Sequence, residues 1–438
     1  MVATCQGGKG PSARNPAADT SHDAAADLAE ASPTDLPIQF APPDASPRQE
    51  PEAAGGLAMD ANDEIGMDVS PPSDARYDRQ EAPPPARPGV TVTTNATISL
   101  PAPSRGSCVR LDDGEGASAS LHVALGRWFV FLVEGTGATA FLRVRSAAAP
   151  DLEFGAAVNL LAGARSVDLL ADGGRLRVLA SRQFYAVLLE SADNGATFTQ
   201  VANLATSPVD ALCTGYTPAL FARGTTPGAF VAAGRDYNTH IFGCASQVEV
   251  AVLNATGIGT PVVIGKGLPV LAYQGQNILT VASTFGVYTS QDGGATFAQT
   301  PNGDTTADQI RGKSGTSSGL HVALAQNYSY GVTNPNTIAV LFSDDGGASW
   351  PRRVVLQRTA TYPGDPFIAS DGDRIAVAWQ NGASLRLMTS PDMGQSWSAV
   401  ASLAMPAGSA SKLWGVALHG VDVAMVLSGA GVNLCLAR

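Results

Sequence analysis

SADNGATF (191–198), SQDGGATF (290–297), SDDGGASW (343–350) and SPDMGQSW (390–397) are four spellings of one octamer, Ser-x-Asp-x-Gly-x-Thr/Ser-Phe/Trp. Their serines lie 99, 53 and 47 residues apart, so the longest gap holds two units. A supersecondary unit recurring at this period means a chain built from repeats, each of which buries its apolar surface against its neighbours.

Apolar β-formers precede every octamer: FYAVLLE (184–190), GVYT (286–289), TIAVLF (337–342) and SLRLMT (384–389). Strand-like sequence follows, as in RRVVL (352–356) and SAVASL (398–403), so the octamer sits in a hairpin turn. Ser191, Ser290, Ser343 and Ser390 open the turns. Asp193, Asp292, Asp345 and Asp392 suit carboxylates that fold back onto turn amides. Gly195, Gly294, Gly347 and Gly394 supply the positive φ that such a turn needs. Phe198, Phe297, Trp350 and Trp397 offer rings for neighbouring sheets to bury. Identical turns repeated around a structure read as its fasteners rather than as catalytic or metal-binding aspartates. The octamer resembles the Asp-box, or BNR repeat, of sialidase-like β-propellers, and that resemblance implies a fold rather than an activity.

The period extends beyond the four octamers. Residues 139–160 and 246–265 align as units with degraded turns, and 421–438 ends on NLCLAR, which matches the strand before the last octamer. Third strands near 146, 191, 246, 290, 343, 390 and 435 give seven units. The expected fold is all-β, a seven-bladed propeller of four-stranded antiparallel blades closed by an N-terminal strand. TVTTNATISLP (91–101) is the segment expected to supply the fourth strand of the last blade, beside 431–437. Sialidase propellers usually have six blades, so the count departs from that family.

Residues 1–89 hold 14 of the 29 prolines and 15 acids against 6 bases, a net of −9 within the chain's −11. Low hydrophobicity with high proline and charge marks a disordered tail or tether, leaving 90–438 as the propeller domain. A near-neutral domain behind an acidic tail excludes nucleic acid as the partner. No apolar run reaches membrane-spanning length; FVFLV (129–133) is flanked by Arg127 and Glu134. Cys5 follows Val-Ala-Thr, which resembles the end of a bacterial lipoprotein signal, without the basic and apolar regions that precede such a cysteine. Lipidation at Cys5 and an accidental likeness stay open. Cys213 and Cys244 fall in one blade, and Cys108 and Cys435 at the two ends of the ring; two disulfides or four thiols are the alternatives. No spacing suits zinc, and neither a metal nor another cofactor is expected.

Antiparallel order puts the octamers on one face and the second-to-third-strand links, with the links between blades, on the other. The latter is the expected binding face, with loops 234–246, 300–318, 327–337 and 357–366. Arg235, Asp236, Tyr237 and His240, with Arg311 and Tyr362, are the candidate ligand-binding residues, suited to a sugar or a carboxylate. The resemblance implies, for a sialidase, an arginine triad, a Tyr nucleophile with a Glu, and an Asp acid/base. The Phe/Tyr-Arg-Ile-Pro motif that carries the first such arginine is missing: Arg105, Arg110 and Arg127 lie in SRGS, VRLD and GRWF. Gly315-Thr-Ser317-Ser-Gly319 spells a nucleophile elbow, but in a Ser/Gly-rich stretch with no helix after it. His122 and His321, both in LHVAL, read as structural residues of equivalent strands. The expectation is an exported, monomeric, non-catalytic propeller of extracytoplasmic location that binds a carbohydrate or protein. A sialidase-like exo-glycosidase and an assembly scaffold are the alternatives.

Overall fold

The computed structural model describes residues 93–438 except 113–117, 136–139, 165, 182–184, 206–218, 225–229, 236–246, 255–256, 276–277, 284–285, 301–309, 329–335, 360–362, 406–411 and 429–430. Every helix-or-strand element among these residues is a strand. They form seven four-stranded antiparallel blades. From the axis outward, blade 1 is Ser118–Ala124, Arg127–Glu134, Phe141–Ala148 and Val158–Ala162. Blade 2 is Ser166–Asp172, Arg175–Ser181, Tyr185–Ser191 and Thr199–Ala205. Blade 3 is Ala219–Phe221, Phe230–Arg235, Gln247–Asn254 and Val262–Lys266. Blade 4 is Pro269–Gln274, Leu279–Ser283, Val287–Ser290 and Ala298–Thr300. Blade 5 is Ile310–Ser318, His321–Tyr328, Asn336–Ser343 and Arg352–Thr359. Blade 6 is Phe367–Asp371, Arg374–Asn381, Ser384–Ser390 and Ala401–Ala404. Blade 7 is Lys412–His419, Asp422–Ser428, Val432–Ala437 and, from the other end of the domain, Arg105–Asp112.

The reason for a ring lies in the side chains. Strand residues alternate between two faces, and here both faces are buried. Trp128, Val130 and Leu132 pack with Val426 and Leu434 of blade 7. Phe129 and Phe131, from the same strand, pack with Val178 and Val187 of blade 2. This explains the unbroken apolar run at 129–133. Five further junctions are built alike, so each of the seven contacts between neighbouring blades is one apolar cluster.

The four octamers have one hydrogen-bond pattern. The serine hydroxyl donates to aspartate Oδ1 at 2.7–2.9 Å and accepts the amide of the fifth residue at 2.7–2.8 Å. The seventh residue donates its amide to Oδ1 and its hydroxyl to Oδ2. These bonds lower the carboxylates. The hydroxyl and amide of Thr197 and the hydroxyl of Ser191 bring Asp193 to about 2. The same groups of Thr296 and Ser290 hold Asp292 down. At Asp345 and Asp392 burial pushes upward, and the serine hydroxyls and amides outweigh it. The fifth-position glycines have φ of 79° to 92°. They also face the preceding blade, where an added Cβ would press on Phe129, Phe230, Thr280 or Phe342. Trp350 and Trp397 bury their rings and donate Nε1–H to the Gly347 and Gly394 carbonyls at 3.1 Å. Arg352 reaches from blade 5 to the Met393 and Gly394 carbonyls of blade 6 while lying over Phe342. Each octamer thus clasps its blade to the one before it.

Ring closure differs from the expectation in one respect. The strand beside Val432–Ala437 is Arg105–Asp112, not 91–101. Thr93–Asn95 instead runs parallel along the outer strand of blade 5, and Ile98–Leu100 along Trp397–Ser398 of blade 6. The difference follows from side-chain pattern. Val109 and Leu111 join the apolar cluster between blades 7 and 1, whereas Ile98 and Leu100 are exposed. Cys108 and Cys435 are direct cross-strand partners and form a disulfide that spans 327 residues. Cys213, Cys244, Cys5 and the proposed tail lie outside the described residues.

Two stability effects are expected. Asp345→Ala removes three turn hydrogen bonds and should cost about 1–3 kcal/mol in chemical denaturation, leaving ligand binding intact. Replacing Cys108 and Cys435 together by serine frees a very long loop in the unfolded chain and should cost about 4–5 kcal/mol in the chain-entropy model. Thermal melts should show a lowered midpoint with an unchanged β-rich circular dichroism spectrum.

Candidate functional site

The inner strands of all seven blades lie side by side around the axis, with blade 7 beside blade 1. They enclose a cavity of about 390 Å3. An inner strand that borders an axis must satisfy any charge it carries, because a buried charge without a partner is costly. Asp168, in the apolar strand SVDLLAD of blade 2, is 2 % exposed. Its carboxylate accepts the amides of Leu169 and Phe221, each at 2.9 Å, and Nη2 of Arg223. The same Nη2 donates to the Leu169 carbonyl at 3.0 Å. His122 Nδ1 lies 3.6 Å from the carboxylate. One carboxylate therefore ties the inner strand of blade 2 to a histidine of blade 1 and to the chain of blade 3.

Burial lowers His122 to about 4, with Arg223 acting in the same direction and Asp168 and a backbone hydrogen bond with Val167 opposing. The ring meets Phe131 edge-on at 5.6 Å, and Nε2 is enclosed without a hydrogen-bond partner among the described residues. His122 is thus a neutral imidazole at pH 7. His321 is not its equivalent: it opens the second strand of blade 5 and pairs Nδ1 with Asp344 at 2.7 Å on the octamer face, largely exposed. The shared pentapeptide falls one strand apart in the two blades.

Across the cavity, Thr316 and Ser370 share a hydroxyl hydrogen bond of 2.6 Å between blades 5 and 6, and Ile368 donates its amide to Ser314 Oγ. The stretch expected as loop 300–318 is an inner strand from Ile310 onward. Gly315 belongs to that strand, where an added Cβ would press on Leu271 and Leu324; its glycine serves close packing. The elbow spelling at 315–319 therefore lies on a strand and its turn, with no nucleophile elbow.

The topology puts the octamers on the face of the first-to-second-strand turns. Gly346 donates its amide to the Leu320 carbonyl and Met393 to that of Asp373. Of the candidate binding residues, Arg235 ends the second strand of blade 3 and Arg311 is near the start of the inner strand of blade 5. Both backbones thus lie toward the other face, in blades separated by blade 4; their side chains lie outside the described residues. Asp236, Tyr237, His240 and Tyr362 also lie outside them. A cluster the described structure does assemble, Asp168 with Arg223, was missed. Its signal was a lone carboxylate inside an apolar strand, which demands a distant partner. Among the described residues no group of three or more His, Cys, Asp or Glu is arranged to hold a metal ion. No helix there is long and apolar enough to cross a membrane.

No family model matches the chain, and no curated protein matches it. Solved structures do. An α-L-arabinanase of Penicillium chrysogenum, complexed with arabinobiose, is 11 % identical over 76 % of this chain and 98 % of its own, with a TM-score of 0.43. BBS1N in complex with ARL6DN is 11 % identical over 78 % and 98 %, with a TM-score of 0.45. A GH74 xyloglucanase of Xanthomonas campestris is 14 % identical over 75 % and 53 %, with a TM-score of 0.43. Likeness at this level carries no argument about ligand or chemistry, and the fold rests on the strand pairing itself.

A pH effect follows from His122. A base whose folded pKa is depressed binds fewer protons folded than unfolded, so its contribution is complete above the unfolded value of 6.5 and is lost as pH falls toward 4. Unfolding midpoints should fall across that window, and His122→Gln should flatten the slope there. An unchanged slope would mean that the imidazole is solvated.

Proposed function

We propose that the chain is an exported, non-catalytic propeller of the Asp-box type that binds a carbohydrate or protein ligand on the face opposite the octamers. Residues 1–89 serve as its tether, with lipidation at Cys5 as the anchor, and residues 90–438 act as a monomeric binding domain. The observation that carries this reading is the cavity's single carboxylate. Glycoside hydrolysis needs two, one on each side of the bond, and Asp168 is the only acid lining the cavity among the described residues. Asp168 is moreover consumed by two amides and a guanidinium. The four octamer aspartates are equally committed, each to its own turn. Binding needs less, namely a rigid rim with a few polar and aromatic groups, and Arg235, Asp236, Tyr237, His240, Arg311 and Tyr362 are the proposed contacts. The Cys108–Cys435 disulfide supports an oxidising compartment.

The test pairs a fluorogenic sialoside and arabinofuranoside assay with a glycan array, both on the full chain. The expected result is array binding that Tyr237→Ala abolishes, with no turnover. Turnover that disappears on removing a loop-face carboxylate or tyrosine would establish the enzyme instead.

A further inference from the structure

We infer that the Cys108–Cys435 disulfide is a reversible redox clasp: an external dithiol reduces it in the folded protein and frees the closing strand, while the strap and the other blades stay in place. The clasp is independent of what the loop face binds.

The closing strand has little else to hold it. In Arg105–Asp112 the register with Val432–Ala437 shifts between Arg105 and Cys108 and again between Arg110 and Asp112, so regular pairing runs over Cys108, Val109 and Arg110. Gly106, Ser107, Cys108 and Arg110 are exposed. Of the strand's side chains, Val109 and Leu111 enter the apolar cluster between blades 7 and 1. At the octamer end, Ser104 and Arg438 exchange two backbone hydrogen bonds, of 2.7 and 3.1 Å. The disulfide is therefore the strongest tie in a short ladder, and its loss lets the strand open without the rest of the ring.

Position decides where reduction starts. Cys435 is 5 % exposed, in the apolar cluster between blades 6 and 7, whereas Cys108 lies on the outermost strand of its blade and is exposed. A thiolate of the reductant attacks Cys108 Sγ; the S–S bond breaks and its electron pair leaves on Cys435 Sγ, which takes up a proton. The reductant's second thiol loses its proton and attacks the first across the mixed disulfide, and Cys108 leaves as a thiolate and is protonated. The protein disulfide gains two electrons, and the dithiol is oxidised to its own disulfide.

The strap makes the step reversible. Thr93–Asn95 and Ile98–Leu100 are held by their own pairing on blades 5 and 6. Ala96 donates its amide to the Val355 carbonyl at 2.8 Å, and the Trp397 and Ala399 amides donate to the Thr97 and Leu100 carbonyls. Cys108 follows Leu100 by eight residues. The freed strand thus stays on a short tether, and reoxidation is an intramolecular closure at high effective concentration. While open, blade 7 presents the edge of Val432–Ala437, a template for another strand.

The experiment treats the full, oxidised chain with dithiothreitol in native buffer, traps thiols by alkylation, and follows modified peptides and amide exchange by mass spectrometry. Peptide mapping separates Cys108 and Cys435 from Cys5, Cys213 and Cys244. The expected result is alkylation of Cys108 and Cys435 at a rate unchanged by denaturant below the unfolding transition. Exchange in Cys108–Asp112 should then rise at least about tenfold, the equivalent of about 1.4 kcal/mol of protection, while Thr93–Leu100 and the strands of blades 2 to 5 keep their rates. In Cys108→Ser the same segment should exchange fast with or without the reductant. Reduction that occurs only where denaturant unfolds the protein, exchange unaltered by reduction, exchange that rises in every blade, or a reductant effect that persists in Cys108→Ser overturns the inference.

Discussion

The constraint on which this structure depends is that no blade has a face it can leave in water. In the second strand of blade 1, successive residues bury alternately toward blade 7 and toward blade 2. A sheet with two apolar faces needs a neighbour on each side, and the last neighbour must be the first blade. Ring closure is therefore a requirement of the side-chain pattern. The Arg105–Asp112 strand meets it by completing blade 7 from the opposite end of the domain, with Cys108 facing Cys435. The preceding residues pass along the outer edges of blades 5 and 6, so one short stretch of chain pairs with three consecutive blades.

Closing seven blades creates an axis, and the axis creates the site. The inner strands approach one another closely enough that Gly315 admits no side chain, yet they leave a cavity of about 390 Å3. A charge placed there has to be satisfied by another blade. Asp168 does so with groups from blades 1 and 3, which makes the same cluster both a tie between blades and the means of aiming an arginine into the cavity. The octamers work at the opposite end of the problem. Their aspartates turn inward onto their own loops and are held ionised by the hydroxyls around them, which stiffens the turn and leaves nothing over for chemistry.

Much of the architecture was legible because its signals are local. An aspartate that caps a turn two residues after a serine fixes where the third strand stops, and all seven third strands fall at or beside the expected positions. What was misread depends on distant partners. TVTTNATISLP and RGSCVRLD have similar β-propensity; only the alternation of Val109 and Leu111 against a buried junction distinguishes the closing strand from the strap. The two LHVAL pentapeptides are identical, but Gly319 turns the chain before His321 while Gly126 turns it after His122. Arg223, in LFARG, carries no local mark at all, since its role exists only once blade 3 lies beside blade 2.

Hydrogen exchange on the native protein tests ring closure most directly. Amides of Cys108–Asp112 should exchange as slowly as those of Val432–Ala437, because both open only when the ring does, whereas Thr93–Leu100 should exchange sooner. Fast exchange in Cys108–Asp112 with protection in Thr93–Leu100 would contradict the account and return the closing role to the earlier segment.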